Sequence, residues 1–186
     1  MIGYAFCGSF CTFKSSVEAL RRVKDIYGDV LPIMSYNAYS TDTRFGDHNY
    51  WIKTIEEICQ RKIVNTIYDA EPLGPKISLD ALVISPCTGN TLAKLANGIT
   101  DTPVCMAAKA HLRSDRPLVL ALASNDAMSA NLGNIAKLLT RKNIYFTPMS
   151  QDDPVKKPHS LVADFSKLDE TLEGALSGHQ IRKLFL

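Results

Sequence analysis

The chain has 186 residues, of which 46% are hydrophobic and 22% charged, and its formal net charge is +2. This length suits one well-buried core, and so small a charge gives no reason to expect nucleic acid or a membrane surface as a partner. No apolar stretch reaches the roughly 18–20 residues of a membrane span, and the start, MIGYAFCGSF, lacks the charged region of a signal peptide. We predict one cytoplasmic domain over residues 1–186.

Short apolar runs alternate with helical patterns along the chain. The predicted strands are 2–7, 30–34, 81–85, 117–123 and 144–147, and residues 63–67 are compatible with a further short strand. The predicted helices are 15–27, 48–59, 91–98, 103–112, 132–141 and 166–176. Residues 36–46 and 151–159 are predicted loops, and the segment 150–186 should pack on the domain or on a neighbouring subunit.

The predicted strands are continuously apolar rather than alternating, as in ALVIS (81–85) and PLVLALA (117–123). That pattern is typical of strands covered on both faces, in a parallel sheet between two helical layers. We therefore predict an α/β fold, a three-layer, doubly wound parallel sheet of the Rossmann-like or flavodoxin-like kind. Ligands of such sheets bind at the carboxyl ends of the strands, near the switch point of strand order.

Small and polar residues follow three of these strands. Gly8 and Ser9 follow the first, where backbone amides and a hydroxyl can approach a phosphate, although a turn with an N-cap serine explains them equally well. The segment SPCTGNT (85–91) presents several hydroxyls and amides, more than capping needs. Asn125 follows the strand 117–123 and suits a ring edge or a carboxylate, with a plain turn as the alternative.

Two cations are candidates for binding a substrate carboxylate. Arg44 lies beside an aromatic residue in DTRFG (42–46), and arginine binds carboxylates through a planar fork. The alternative for Arg44 is a surface ion pair with Asp42. Lys76, after a Pro-Gly-Pro turn, is the second candidate.

Neither the cysteines nor the histidines predict a catalytic or metal site. Five cysteines at wide spacing form no disulfide framework, and we expect reduced thiols. The four histidines show no metal spacing and no triad with an acid and a nucleophile. No metal and no catalytic residue is therefore predicted. The cysteines are Cys7, Cys11, Cys59, Cys87 and Cys105.

The segments GYAFCGSFCTF, SPCTGNTLAKLANGITDTPV and PLVLALASNDAM, in this order, resemble the flavoprotein superfamily that includes the homo-oligomeric flavin-containing cysteine decarboxylases. Positions matching the family's patterns are Pro86, Thr88, Asn90, Thr91, Lys94, Gly98, Asn125 and Met128. Gly89 stands where the family often has alanine, and Ser124 where it often has methionine. The resemblance implies bound flavin mononucleotide (FMN).

The segments TDTRFG (41–46), DAEPLGPK (69–76) and 143–165, with its stretch QDDPVKKP, narrow the resemblance to the dipicolinate synthase B-subunit family. That family implies oxidation of dihydrodipicolinate to pyridine-2,6-dicarboxylate, for bacterial endospores. It also implies an A subunit as partner, which carries the nicotinamide dinucleotide, NADP. A homo-oligomer, a trimer or a multiple of it, is expected as well.

Residues 68–80 contain no histidine, whereas the decarboxylases use one just before the third main strand. Decarboxylation of a cysteine end is therefore not carried over. Another flavin-dependent decarboxylase, a flavin prenyltransferase or a non-catalytic partner subunit remain alternatives. The predicted cofactor-binding residues are Gly8, Ser9, Ser35, Pro86, Thr88, Gly89, Asn90, Thr91, Ala123, Ser124 and Asn125. The predicted substrate-binding residues are Arg44, Lys76, Asn125 and Met128.

Overall fold

A mostly parallel sheet lies at the centre of the computed structural model, which describes residues 1–186. The strands are β1 (Ile2–Phe6), β2 (Val30–Met34), β3 (Ala81–Cys87), β4 (Leu118–Ser124), β5 (Ile144–Phe146), β6 (Met149–Ser150) and β7 (Leu161–Ala163). The helices are α1 (Phe13–Tyr27), α2 (Tyr36–Ser40), α3 (His48–Cys59), α4 (Ile67–Ala70), α5 (Gly89–Asn97), α6 (Pro103–Leu112), α7 (Leu132–Leu139) and α8 (Leu168–Leu176).

The parallel strands follow the order β2-β1-β3-β4, with β5 pairing beside β4. This is the 2-1-3-4-5 order of flavodoxin-like folds, in which the chain leaves β1 in one direction and returns to β3 on its other side. The predicted fold class is confirmed. The order also puts the switch point between β1 and β3, where the segments after Phe6 and after Cys87 leave the sheet.

Successive strand residues supply two apolar cores, one on each face of the sheet. Ala5, Leu82 and Leu120 pack on one face with α5, α6 and α7, whereas Tyr4 and Val83 pack on the other with α1, α3 and α8. Because both faces are covered, the strands can be apolar at every position. The C-terminal helix α8 packs on the chain's own sheet.

The structure differs from the sequence analysis in one connecting segment and decides another that the sequence left open. Residues 36–46, predicted as a loop, begin with α2, because the Ser35 hydroxyl accepts from the backbone N–H of Ala38 at 3.3 Å and caps the helix. Residues 63–67 form no strand: only Val64 forms a bridge, with Ile33, and α4 begins at Ile67.

The short hairpin β6–β7, which follows the strand predicted to be last, has no signature in the sequence. Its strands have two and three residues, too few to show a periodic pattern. β7 pairs antiparallel with the end of β4, Ala123 opposite Val162 and Ser124 opposite Leu161. The hairpin therefore extends the sheet at the carboxyl end of β4. No helix has the length and apolar composition required to cross a lipid bilayer.

His111, in α6, is expected to make the stability of the fold depend on pH. Its side chain is fully buried, its Nε2 lies 2.9 Å from the Pro117 carbonyl oxygen and its Nδ1 has no partner. Burial lowers the pKa of His111 in the folded chain, so the unfolded chain binds more protons as the pH falls below about 6.5. We expect the free energy of unfolding to fall with pH in that range, with a shallower fall in His111→Gln. Urea titrations at several pH values measure this free energy. An equally steep fall with pH in the wild type and in His111→Gln would contradict the assignment.

Candidate functional site

The polar segments after β1, β3 and β4 meet around one cavity of about 760 Å³ at the carboxyl edge of the sheet. A second cavity, of about 440 Å³, shares Gly8, Thr88 and Asn90 with the first. Parallel strands end at a common edge, so residues far apart in sequence lie together there. Of the predicted cofactor residues, Gly8, Ser9, Thr88, Gly89, Asn90, Ala123, Ser124 and Asn125 line the first cavity, and Ser35 and Thr91 line the second.

The segment after β1 offers a free donor to the first cavity. Ser9 precedes a 3₁₀ turn, Phe10–Thr12, yet its side chain does not cap that turn. The Ser9 hydroxyl oxygen accepts from the Thr12 hydroxyl at 3.3 Å and donates to no group of the chain. Ser9 is therefore not a simple N-cap, and its hydroxyl proton remains available to an anion.

The segment after β3 combines a cap with a free amide. The Thr88 hydroxyl accepts from the Thr91 backbone N–H at 3.2 Å and caps α5, and the Thr91 hydroxyl donates to the Cys7 sulfur at 3.3 Å. The exposed Asn90 side-chain amide, which lines both cavities, has no partner within the chain. Capping therefore explains Thr88, whereas the backbone N–H groups of Gly89 and Asn90, at the start of α5, and the Asn90 side-chain amide are left for a ligand.

Gly89 allows the loops after β3 and β4 to touch. A Cβ atom added there would lie 2.6 Å from Asp126 Oδ1 and 2.7 Å from Asn131 Nδ2. Both groups are fixed, since Asp126 accepts from the Ser124 hydroxyl and, at 3.0 Å, from Asn131 Nδ2. Gly89 and Ser124, which replace the family's usual alanine and methionine, thus lie in the same contact: Gly89 leaves room for the polar group that Ser124 forms with Asp126.

Arg44 enters the cavity wall from a tight turn. Thr43 and Gly46 exchange two backbone hydrogen bonds of 3.1 Å, which place Arg44 and Phe45 at the tip. Gly46 has φ 144°, and a Cβ atom there would lie 3.1 Å from Cε2 of Trp51, so the turn is held closely against α3.

The Arg44 guanidinium is not neutralised within the chain. It lies 4.8 Å from the centroid of the Phe45 ring and forms no salt bridge. The alternative, an ion pair with Asp42, does not occur: Asp42 accepts from the backbone N–H of His48 at 2.9 Å and lies 2.6 Å from its Nδ1. These bonds lower the pKa of Asp42 below its usual range.

Sequence reasoning missed the contribution of the loop between β6 and β7. Asp152, Lys157, Ser160 and Val162 line the first cavity, and the Lys157 ammonium forms a salt bridge with Asp152. The signal was present, because these residues lie in or beside the stretch QDDPVKKP. The stretch could not be assigned to the site because the hairpin that carries it is too short to predict.

Three predicted site residues do not line either cavity. Lys76 lines a separate depression with Tyr68 and Pro72, close to the turn where Gly74 packs on the end of α6. That end of α6 precedes β4, at the amino edge of the sheet, so the structure does not bring Lys76 together with Arg44 and Asn125 in its own chain. Met128 is 40% exposed outside the cavity, and its backbone N–H donates to the His159 carbonyl. Pro86 is buried in β3, where its carbonyl accepts from Cys7.

A family model described as Flavoprotein matches residues 6–172. The B subunit of dipicolinate synthase from Bacillus subtilis (strain 168) is 43% identical over 185 residues, covering 100% of this chain and 92% of the relative. The chain belongs to the flavoprotein family, among the dipicolinate synthase B subunits.

Solved structures of flavoproteins agree with this placement. The crystal structure of the dipicolinate synthase B subunit from Bacillus halodurans C superposes with a TM-score of 0.91 at 42% identity, covering 100% of this flavoprotein and 95% of that chain. The FMN-dependent cysteine decarboxylase SpaF gives a TM-score of 0.69 at 22% identity, over 95% of this chain and 94% of that one. The second likeness shows the shared fold alone.

Proposed function

We propose that the chain is the flavin-binding subunit of a dipicolinate synthase, which oxidises dihydrodipicolinate to pyridine-2,6-dicarboxylate. The observation that carries this proposal is the larger cavity at the β1/β3 switch point, lined by Ser9, Asn90 and Asn125 and by the unpaired Arg44. Free hydroxyl and amide groups suit the polar edge of a flavin ring, and an unpaired guanidinium suits a carboxylate.

The larger cavity and the adjacent smaller one, which share Gly8, Thr88 and Asn90, fit FMN in size and in the groups they offer. Their volumes, about 760 and 440 Å³, fall within the usual range of cofactor sites. We place the phosphate in the smaller cavity, near Ser35, Gly8 and the N-terminal N–H groups of α5, because small residues and helix N-termini favour anions. The larger cavity then takes the ring system.

The larger cavity also fits the dicarboxylate. Phe10 and Phe45 supply flat apolar surface, Arg44 a planar fork for one carboxylate and Asn125 an amide that orients the ring. Bound flavin would supply the acceptor for the hydride that the substrate loses as its ring becomes aromatic. The chain itself binds and orients the substrate.

The relatives are B subunits by name, which supports the existence of a second kind of subunit. We propose that the A subunit of dipicolinate synthase binds this chain and carries NADP, and that the chain assembles as a trimer or a multiple of it. The proposed location is the cytoplasm, in cells that form endospores. These assignments follow from the family.

Visible absorption of the purified chain tests the proposal. We expect near-stoichiometric flavin after incubation with FMN and gel filtration. Anaerobic addition of dihydrodipicolinate should then bleach the flavin band, because the hydride has moved. A colourless chain, or bound flavin that dihydrodipicolinate does not reduce, would remove the proposed oxidation. A colourless chain that accelerates only a catalytic A subunit would instead support the role of a non-catalytic partner.

Cys11 provides an independent probe of the cavity. It is the one exposed cysteine of the five, and it lines the cavity, whereas the other four are buried. Burial raises the pKa of Cys7 and of Cys59 to about 12, which keeps these thiols protonated and unreactive. We expect iodoacetamide to label the native chain once, Cys11→Ser not at all, and FMN to slow labelling severalfold. Labelling at the same rate with and without FMN would contradict the placement of the cofactor.

A further inference from the structure

The loop between β6 and β7 is held at the carboxyl edge of the sheet. β7 runs antiparallel to β4, and Leu161, its first residue, pairs with Ser124, the last residue of β4. The residues just before Leu161 must therefore lie beyond the end of β4, on the side of the cavity. A bond from the Met128 backbone N–H to the His159 carbonyl, 2.9 Å long, ties this loop to the segment after β4.

The loop is also ordered by its own hydrogen bonds. The Asp153 carboxylate accepts from the backbone N–H groups of Val155 and Lys156, at 3.1 and 2.9 Å. The backbone N–H of Lys157 donates to the Asp153 carbonyl at 2.7 Å, and the Lys157 carbonyl accepts from Ser160 at 3.0 Å. The backbone of Lys157 is thus fixed on both sides, which lowers the entropy lost when its side chain binds a ligand.

The two neighbouring lysines of this loop differ in position. The Lys157 side chain lines the cavity, whereas Lys156 does not and forms no salt bridge. Asp152 pairs with the Lys157 ammonium and orients it, and a lysine has three N–H donors, so two remain for a ligand. The other acid in the wall, Asp126, already accepts hydrogen bonds at both oxygens, from Ser124 and Asn131.

We propose that Lys157 binds one carboxylate of a small dicarboxylic acid, while Arg44, on a separate loop, binds the other. The inference rests on the proposed function and adds the second cation, in place of Lys76. A flat ring holds its two carboxylates at a fixed distance from each other. Two cations on fixed backbone can match that distance, so they bind such a ring selectively. The pair also makes the cavity selective for dicarboxylates over monocarboxylates.

Calorimetric titration of the FMN-loaded chain tests this assignment. The two probes are pyridine-2,6-dicarboxylate and pyridine-2-carboxylate, and the variants are Lys157→Met and its neighbour Lys156→Met, which removes the same charge from the same loop. Loss of a hydrogen bond to a charged group should weaken dicarboxylate binding roughly tenfold in Lys157→Met. Monocarboxylate binding should stay unchanged there, because Arg44 suffices for it, and Lys156→Met should resemble the wild type with both probes.

The outcomes separate this inference from the proposed function. If Lys157→Met and Lys156→Met bind the dicarboxylate equally well, or if the wild type does not bind it, the role of Lys157 is overturned, whether or not flavin is present. If the chain takes up no FMN, the proposed function fails. In that case the titrations are repeated with the chain as purified. The comparison of Lys157→Met with Lys156→Met then tests whether Lys157 binds the dicarboxylate. Equal melting temperatures of the two variants show that neither effect comes from unfolding.

Discussion

Replacing Ser35 with aspartate is expected to lower the affinity of the chain for FMN by at least about 100-fold. Ser35 is 8% exposed and lines the smaller cavity, in which we place the phosphate. Two like charges about 4 Å apart repel by about 4 kcal/mol at an effective dielectric constant of about 20, which leaves a large effect after partial screening by salt. The measurement is the dissociation constant of FMN, from quenching of flavin fluorescence.

Ser35→Asn is the matched control for this variant. Asparagine and aspartate have similar size and both cap helices well, so each preserves the start of α2, where the Ser35 hydroxyl now accepts from Ala38. Only the charge differs between them. We expect Ser35→Asn to retain FMN within a few-fold of the wild type. If both variants bind FMN equally well, the phosphate does not lie beside Ser35.

Replacing Arg44 with alanine is expected to raise the Michaelis constant for dihydrodipicolinate by the equivalent of about 1.5–3 kcal/mol, the range for hydrogen bonds to charged groups. This corresponds to roughly a 10- to 150-fold change. The guanidinium has no salt-bridge partner in the chain and lies only over the exposed ring of Phe45, so its loss breaks no internal ion pair. Steady-state kinetics with both kinds of subunit present measures the change.

Arg21→Ala is the control for Arg44→Ala. Arg21 is exposed on α1, forms no salt bridge and lies outside the cavity, so its removal changes net charge equally without touching the site. We expect unchanged kinetics for Arg21→Ala and an unchanged FMN dissociation constant for both variants. If Arg44→Ala does not change the Michaelis constant, Arg44 does not bind the substrate.

The fold could be predicted from the sequence because strands buried on both faces have a recognisable apolar pattern. Continuous apolar runs such as 81–85 and 117–123 occur where helices cover both sides of a parallel sheet, and the helices between them show a regular apolar spacing. The convergence of Ser9, Thr88 and Asn125 was also foreseeable, because the carboxyl ends of parallel strands share one edge.

The missed parts of the site depend on pairings that leave no local pattern. The loop that carries Lys157 reaches the cavity through a pairing between Leu161 and Ser124, residues that are far apart in sequence. Lys76 is a cation near a turn, yet nothing local reveals that this turn packs at the amino edge of the sheet. Tertiary contacts, and not residue type, decide which cations face the cavity.

A crystal structure of the chain soaked with FMN would show directly whether the cofactor lies at the β1/β3 switch point. We expect the phosphate in the smaller cavity, within hydrogen-bond distance of Ser35 or of the N–H groups at the start of α5, and the ring in the larger cavity beside Asn125. FMN bound at another place on the surface, or a reversed molecule with its phosphate beside Arg44, would contradict it.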